Sequence, residues 1–324
     1  MHSHIPVMLD TFIKAVGPIS GTWVDCTLGA GNYSKALIDA GAQRVFGIDC
    51  DPEAVETALS NNLSRCTGFT PVVARFGELE ELSVIAEVAP VDGIVFDLGV
   101  SSMQLDNPGR GFSFSRDGPL DMRMSSAGRS AAEIVNGESE EVMAEIFLRF
   151  GQERKARRIA RGIVEHRRSN PISTTGQLAS VIAHCLPPAP NVRIHPATRC
   201  FQALRIAVND ELGQLVTGLH AAERLLRAGG RMAAISFHSL EDRIVKRFID
   251  GGSSAGASRY RPDLVAPKPR FKILAGGQLC PGADEIAANP RSRSARLRVA
   301  ARTAEPAIAI DPEALGMPVL SGCG

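Results

Sequence analysis

Between residues 22 and 99, short apolar runs alternate with helical stretches, and each run ends in or just before an acid, a glycine or an aromatic. "TWVDC" (22–26) reads as a short buried strand that runs into a glycine-spaced turn, "TLGAG" (27–31). "NYSKALIDAG" then carries Ala36, Leu37 and Ala40 at helical spacing, with Gly41 as a stop. "RVFGID" (44–49) is a second strand, after which Asp51 and Pro52 open a helix as N-cap and first helical residue. "TPVVARF" (70–76) and "VDGIVFDLG" (91–99) supply a third and a fourth strand. Such alternation predicts an α/β fold built on a doubly wound parallel sheet. Ligands of such sheets bind beyond the carboxyl ends of the strands. Asp25, Gly29, Gly31, Asp49, Phe76 and Asp97 all fall there. Any one of them can simply cap a helix or turn the chain. Four strand ends that each present a plausible contact argue for a binding edge.

Composition removes several classes. Lys+Arg 36 against Asp+Glu 35 leaves no global bias toward nucleic acid, so any basic surface is local. Seven scattered cysteines with no CxxC pair suit reduced thiols better than a disulfide framework or a zinc site, and no metal is expected. The amino terminus lacks a signal-peptide pattern, and no apolar stretch approaches the ~20 residues of a membrane helix. A cytoplasmic protein with no membrane partner is the expectation; the oligomeric state is not legible. The turn itself lacks the GxxxxGK[ST] of a phosphate loop. A dinucleotide fingerprint would want a glycine where Ser34 stands.

The alternation stops between Asp121 and His195. Ser130 starts a short helix that Gly137 ends, and Ser139 caps another with Ile146 and Phe147 on one face. Residues 152–168 form a third, with Ile159, Ile163 and Val164 inward. Thr174 and Gln177 make a capping box for a fourth, which Pro187 and Pro188 terminate. A long helical run follows, from Phe201 to a stop at Gly229-Gly230, and then a strand from Met232 to Phe237. The expected organisation is one sheet domain, 1–120 and 196–303, interrupted by an all-helical insertion, 121–195. The tail, 304–324, is expected to be disordered. The insertion carries local charge: from Arg149 to Arg168, eight basic residues stand against Glu153 and Glu165. A second basic cluster is Arg291, Arg293, Arg296 and Arg298. Residues 251–270, rich in glycine, serine and proline, read as a mobile loop.

An acid ahead of the glycines, Asp25-xxx-Gly29-x-Gly31, resembles the first motif of S-adenosylmethionine-dependent methyltransferases. Longer stretches narrow the resemblance: "DLGVSSMQLD" (97–106), "RGFSFSRDGPLDMRM" (110–124), "HPATRCFQALRIAVNDEL" (195–212), "ISFHSLEDRIVKRF" (235–248) and "NPRSRSARLR" (289–298). Together these resemble the RsmH family, also called MraW, from about His4 to Arg302. The resemblance implies a Rossmann-like methyltransferase sheet and S-adenosylmethionine as cofactor. The implied reaction is methyl transfer to the exocyclic N4 of a cytidine in the decoding region of small-subunit ribosomal RNA, with that RNA or the assembling small subunit as partner. It places cofactor contacts at Gly31, Asn32, Tyr33, Asp49, Phe76, Asp97 and Gln104, beside Gly29 of the turn. The family commonly has Gly-His where this chain has Asn32-Tyr33, and a proline where it has Met103, so backbone contacts are the ones implied at the turn.

A cytosine amino group is a poor nucleophile because its lone pair is delocalised into the ring. An acceptor aimed at its N–H and in-line placement of the sulfonium are what a protein must supply. DNA amino-methyltransferases use [DNS]PP[YFW] after the fourth strand; Asp97-Leu98-Gly99-Val100 keeps the acid and lacks the prolines and the aromatic. Asp97 is therefore the catalytic candidate. Phe112 and Phe114 are candidates to stack the base and Asp117 and Asp121 to meet its donor edge, although such phenylalanines more often pack a loop. Arg154, Lys155, Arg157, Arg158 and Arg161 are candidates for phosphate contact, against a plain solvated helix face. His238, just past a buried strand, invites a general-base role. The methylated amine sheds its proton readily, which makes His238 a loop-ordering partner instead. The rivals are an N4 or N6 amino methyltransferase of DNA or another RNA, a protein methyltransferase, a nicotinamide oxidoreductase, and a ribosome-assembly binding protein with a vestigial cofactor site. The missing proline–aromatic motif argues against DNA, and the intact Gly29, Gly31, Asp49 and Asp97 against a vestigial site.

Overall fold

The computed structural model describes residues 6–61, 63–125, 127–186, 195–251 and 268–320. Most of the loop expected at 251–270, and Pro187 and Pro188, lie outside the described residues. Strands β1 (Thr22–Asp25), β2 (Arg44–Asp49), β3 (Phe69–Val73) and β4 (Val91–Asp97) run parallel, as their sequence pattern predicts. β5 (Leu226–Ser236) joins β4 in parallel. β6 (Phe271–Ile273) and β7 (Arg296–Arg302) finish the sheet, with β7 antiparallel to both its neighbours. The order is β3-β2-β1-β4-β5-β7-β6. This is a doubly wound, Rossmann-like sheet with one antiparallel strand near its edge. Growth of the sheet reverses between β1 and β4, and that switch point opens a crevice at the carboxyl ends of the strands.

β1 is buried at all four positions, so it reads as a continuous apolar run. Trp23, Val45, Val95 and Ile235 share one core with Phe12 and Val16 of the helix Leu9–Val16 and with Tyr33 and Leu37 of the helix Asn32–Asp39. Burial of each such side chain is worth about 1.5–3 kcal/mol, and together they hold the strand ends in place.

The chain divides into two compact units, one running through Gly99 and resuming over Leu212–Met317, the other Val100–Glu211. The helical unit is wider than the 121–195 expected. The loop after β4 belongs to it: Leu120 N–H donates to Ser173 O and Thr175 N–H to Gly118 O, both at 2.9 Å. The helix Thr198–Asn209 also packs on Glu140–Arg149 and Ala131–Gly137. The long helix expected from Phe201 to Gly230 is two helices. Asp210 breaks it in a left-handed conformation (φ 50°), its N–H bonded to Ile206 O, and Glu211–Leu225 follows. A short polar side chain is what tolerates that backbone. β5 begins at Leu226, so Gly229-Gly230 lies inside the strand, where pairing with β4 shifts register.

The tail expected to be disordered is tied down over much of its length. Leu315 is fully buried, and Ile310 N–H donates to His220 Nε2 at 2.9 Å. Two buried arginines organise its root. Arg302 donates to the carbonyls of Glu223 (3.0 Å), Arg270 (3.2 Å) and Thr303 (3.0 Å), while Arg270 pairs with the buried carboxylate of Glu223 and reaches Ile308 O at 3.3 Å. The sequence reading missed this because hydrogen bonds from distant guanidinium groups leave no mark in the tail's own residues. Arg302→Met strands those carbonyls and half of the charge compensation of Glu223, and is expected to cost about 3–5 kcal/mol. Urea denaturation of the variant checks it, and an unchanged midpoint would mean the network contributes nothing.

Candidate active site

The glycine turn is shaped by one buried carboxylate. Asp25, at the end of β1, is wholly buried and accepts from Ser34 Oγ (2.8 Å), Ser34 N–H (3.1 Å) and Thr27 N–H (3.3 Å). Ser34, the residue that spoils a dinucleotide fingerprint, is therefore the clasp that closes the turn. Burial pushes Asp25 up to about 6; its hydrogen bonds oppose the shift and the Asp49 charge adds to it. Gly31 (φ 83°) ends the turn as the cap of the helix Asn32–Asp39, and a Cβ there would lie 2.2 Å from Leu63 Cδ1. Gly29 (φ 50°) has open space on its side-chain face, its nearest neighbour Thr27 O at 3.9 Å. That is where backbone can approach a ligand.

Asp49, at the end of β2, spans two loops. Its Oδ2 accepts from Gly29 N–H and its Oδ1 from Asp51 N–H, each at 2.9 Å. Burial raises its proton affinity, against those backbone bonds. Phe76 follows β3 in a 3-10 turn, half-buried, its ring edge-on to Phe96 at 5.7 Å. Asp97 closes β4. Its N–H donates to Thr27 Oγ1 at 2.6 Å, and its Oδ1 is buried with no hydrogen-bond partner among the described residues. Burial, then the charges of Asp25 and Glu241, push its carboxyl well above the ordinary range. Tyr33 is different. Its side chain is in the core, 4% exposed, its hydroxyl donating to Val7 O and its ring edge-on to Phe12. Only its backbone, with that of Asn32, faces the role the sequence assigned, as first-turn N–H groups no intrahelical carbonyl can satisfy.

His238 caps the helix Ser239–Ile249, and Glu241 answers it: Glu241 Oε2 accepts from Phe237 N–H (2.7 Å) and His238 N–H (3.1 Å). His238 orders its loop. Thr27 and Glu241 were not singled out from sequence, and Ser34 only as the missing glycine of a dinucleotide fingerprint. Glu241 had a signal, its place three residues after a capping residue.

In the helical unit several candidates are already engaged. Gln104 lends its side-chain carbonyl to Ser101 N–H in a capping box and is 8% exposed. Phe114 packs on His195 and Phe201, each 4.7 Å between ring centres, and Phe112 is 7% exposed. Asp117 accepts from Gly176 N–H (2.7 Å) and Gly118 N–H (3.0 Å), and Asp121 holds Arg123 in a fork (2.9 and 2.7 Å). Each of the four packs or anchors the loop 108–124, while Phe114 stays half-buried and Asp117 exposed. Short-range packing and hydrogen bonding use the same residue types as base recognition, which is why the sequence pattern could not separate them. Arg154, Lys155, Arg157 and Arg158 are exposed, with no side-chain partner among the described residues. Arg161 is exposed with a 3.4 Å contact to Glu140. Arg167 instead ties its helix to the carbonyls of Val135 (2.6 Å) and Glu138 (2.5 Å). Of the second basic cluster, Arg298 is taken by Asp242 and Gln278.

The model of the MraW methylase family matches residues 1–303. The chain belongs to that family. Among its relatives are proteins named ribosomal RNA small subunit methyltransferase H. The one from Cereibacter sphaeroides strain KD131 is 52% identical over 320 residues, 98% of this chain and 95% of the relative. Those from Roseobacter denitrificans (50% over 319 residues, 98% and 95%) and Methylorubrum extorquens (51% over 309 residues, 94% and 88%) are similar. As an MraW methylase the chain uses S-adenosylmethionine. Its strand ends fit that cofactor: an open glycine turn, a carboxylate at β2, an aromatic ring after β3, and at β4 a buried carboxylate oxygen that still lacks a donor.

The Asp25 clasp has a pH signature. Its folded value lies above the ordinary carboxylate value, so the folded protein holds this proton more tightly than the unfolded chain does. No penalty exists below about pH 4, and the full penalty is present above about pH 6, amounting to about 3 kcal/mol. Asp25→Asn lacks that titration. Its unfolding free energy relative to the native chain should therefore rise by about that amount between about pH 4 and pH 7. A difference that stays flat across this window would show that Asp25 ionises as an ordinary carboxylate.

Proposed function

We propose that this chain methylates the N4 amino group of a cytidine in the decoding region of small-subunit ribosomal RNA. Methylation of ribosomal RNA is the coarser part of the reading, and it rests on full-length relatives at 50–52% identity that carry that name. The N4 target rests on the motifs after β4 and β5 and on the chemistry Asp97 offers.

S-adenosylmethionine, when bound, supplies a methyl group made electrophilic by the positive sulfur. The chain's own residues do the rest. The turn at Gly29 and the first-turn N–H groups of Asn32 and Tyr33 bring backbone donors to the site. Asp49, already fixed by Gly29 and Asp51, keeps lone pairs for vicinal hydroxyls, and Phe76 closes the site beside them. Asp97 Oδ1 accepts an N–H of the attacking amine or of the cofactor's ammonium group. Accepting from the amine turns the nitrogen lone pair out of ring conjugation. A carboxyl held well above its ordinary range can also take the proton the amine loses. Phosphate contact falls to the exposed arginine–lysine stripe of the helix Ala156–Arg167 and the residues before it.

Two experiments test this. Asp97→Asn should not lower the melting temperature, since it removes an unfavourable buried charge, and should lose at least about 100-fold in turnover, the scale of removing one preorganised transition-state contact. The readout is N4-methylcytidine by mass spectrometry of small-subunit RNA; wild-type turnover would remove Asp97 from the chemistry, and RNA from a deletion strain that retains the modification would overturn the proposed target. Replacing Arg154, Lys155, Arg157, Arg158 and Arg161 together by alanine should leave cofactor affinity unchanged and weaken RNA binding. Its salt slope should flatten by about 0.7 for each lost single-strand phosphate contact. An unchanged slope and affinity would reduce the stripe to a solvated face.

A further inference from the structure

The helices Ala156–Arg167 and Thr175–Cys185 enclose a groove of about 720 Å³ in the helical unit. Its size falls within the range of sites that take small organic ligands, about 300–1,000 Å³. Gly162 makes the groove possible. A Cβ there would lie 2.1 Å from Cys185 Sγ, so a glycine lets the helices close at the base while their outer residues stay apart. Arg158 and Arg161 line one wall and Ser180 and His184 the other, all four exposed, with Glu165 the only acid in the lining.

The two walls differ in chemistry. The first offers guanidinium groups, of which Arg158 has no partner among the described residues. The second offers a hydroxyl and an acceptor. His184 Nδ1 lies 2.7 Å from Ser180 O, a carbonyl that can only accept, so Nδ1 carries the hydrogen and Nε2 of the neutral ring is left as an acceptor. A cationic wall facing an acceptor wall matches a ligand with anionic groups joined by units that carry hydroxyl donors. A free phosphate would use only the first wall. A DNA strand offers no 2′-hydroxyl to the second.

We propose that this groove seats one nucleotide of a single RNA strand, with phosphate on Arg158 and Arg161 and the ribose hydroxyl on Ser180 and His184. The proposal rests on the reading that the helical unit meets RNA, and adds a shaped site to what would otherwise be a charged face. Recognition then depends on groove shape and the 2′-hydroxyl as well as on charge.

The test uses the full-length protein with a single-stranded oligoribonucleotide of decoding-region sequence, its deoxy counterpart and inorganic phosphate as probes. Ser180→Phe fills the groove without changing its charge, and His184→Ala removes the acceptor; both sites are exposed, so the fold should persist. Ser180→Phe is expected to weaken oligoribonucleotide binding by about tenfold or more, the loss of one nucleotide's contacts, and to flatten the salt slope by about 0.7, the one phosphate contact displaced from Arg158 and Arg161. In His184→Ala the preference for RNA over DNA should shrink. Inorganic phosphate should not compete at concentrations that leave the salt slope unaffected. Wild-type RNA affinity in Ser180→Phe, while the five-residue charge variant loses binding, overturns the groove and leaves the charged face standing. If neither variant loses affinity, both the groove and the underlying reading fail. Equal binding of RNA and DNA by the native chain also overturns the groove.

Discussion

The carboxylate of Asp25 is the constraint on which the candidate site depends. It sits where no water reaches, at the end of a strand buried at every position, and three donors from the following turn converge on it. Those bonds decide the path of residues 27–34 and so the place of Gly29. Asp49 then accepts from Gly29, and Thr27 accepts from the backbone of Asp97. Three strand ends are thereby linked through one turn. Keeping Asp25 out of water makes its ionisation unfavourable, a strain tolerated because the same bonds that shape the turn partly compensate it.

Asp97 shares the low-dielectric environment and has less to compensate it. Its Oδ1 is buried without a donor among the described residues, and two neighbouring carboxylates add to the cost of its charge. An unpartnered buried acceptor is expensive unless something that arrives later satisfies it. A cationic cofactor or an amine to be methylated would do so. On the proposed role, an arrangement unfavourable in the free chain would become favourable in the complex, the preorganisation that polar catalysis relies on.

Elsewhere, buried charge closes the fold. Glu223 in the helix Glu211–Leu225 draws Arg270 and Arg302 together, and their remaining donors capture carbonyls of the segment after β7. The root of that segment is held by the guanidinium groups of Arg270 and Arg302. The helical unit is built more simply. Capping boxes at Ser130 and Thr174 start two helices, Ile159 and Ile163 face inward, and the exposed cations lie on what remains.

The positions of β1 to β4, the helix starts at Asp51, Ser130, Ser139 and Thr174, and the family were legible in the chain because each is a local pattern: a buried run, a cap, a motif of consecutive residues. Gly29, Gly31, Asp49 and Asp97 were legible for the same reason, since strand ends follow from strand periodicity and the sheet rule places ligands there. What local pattern cannot carry is the use of a side chain by a distant partner. Tyr33 is spoken for by Val7 and Phe12, Phe114 by His195 and Phe201, and Asp117 by the start of a helix nearly sixty residues on. The same residue types serve packing and ligand recognition, and tertiary structure alone decides between them. It alone also decided that residues 303–320 are tied down, because the partners that hold them come from elsewhere in the chain. The groove beside Gly162 likewise required two helices to be brought together before a missing Cβ could mean anything.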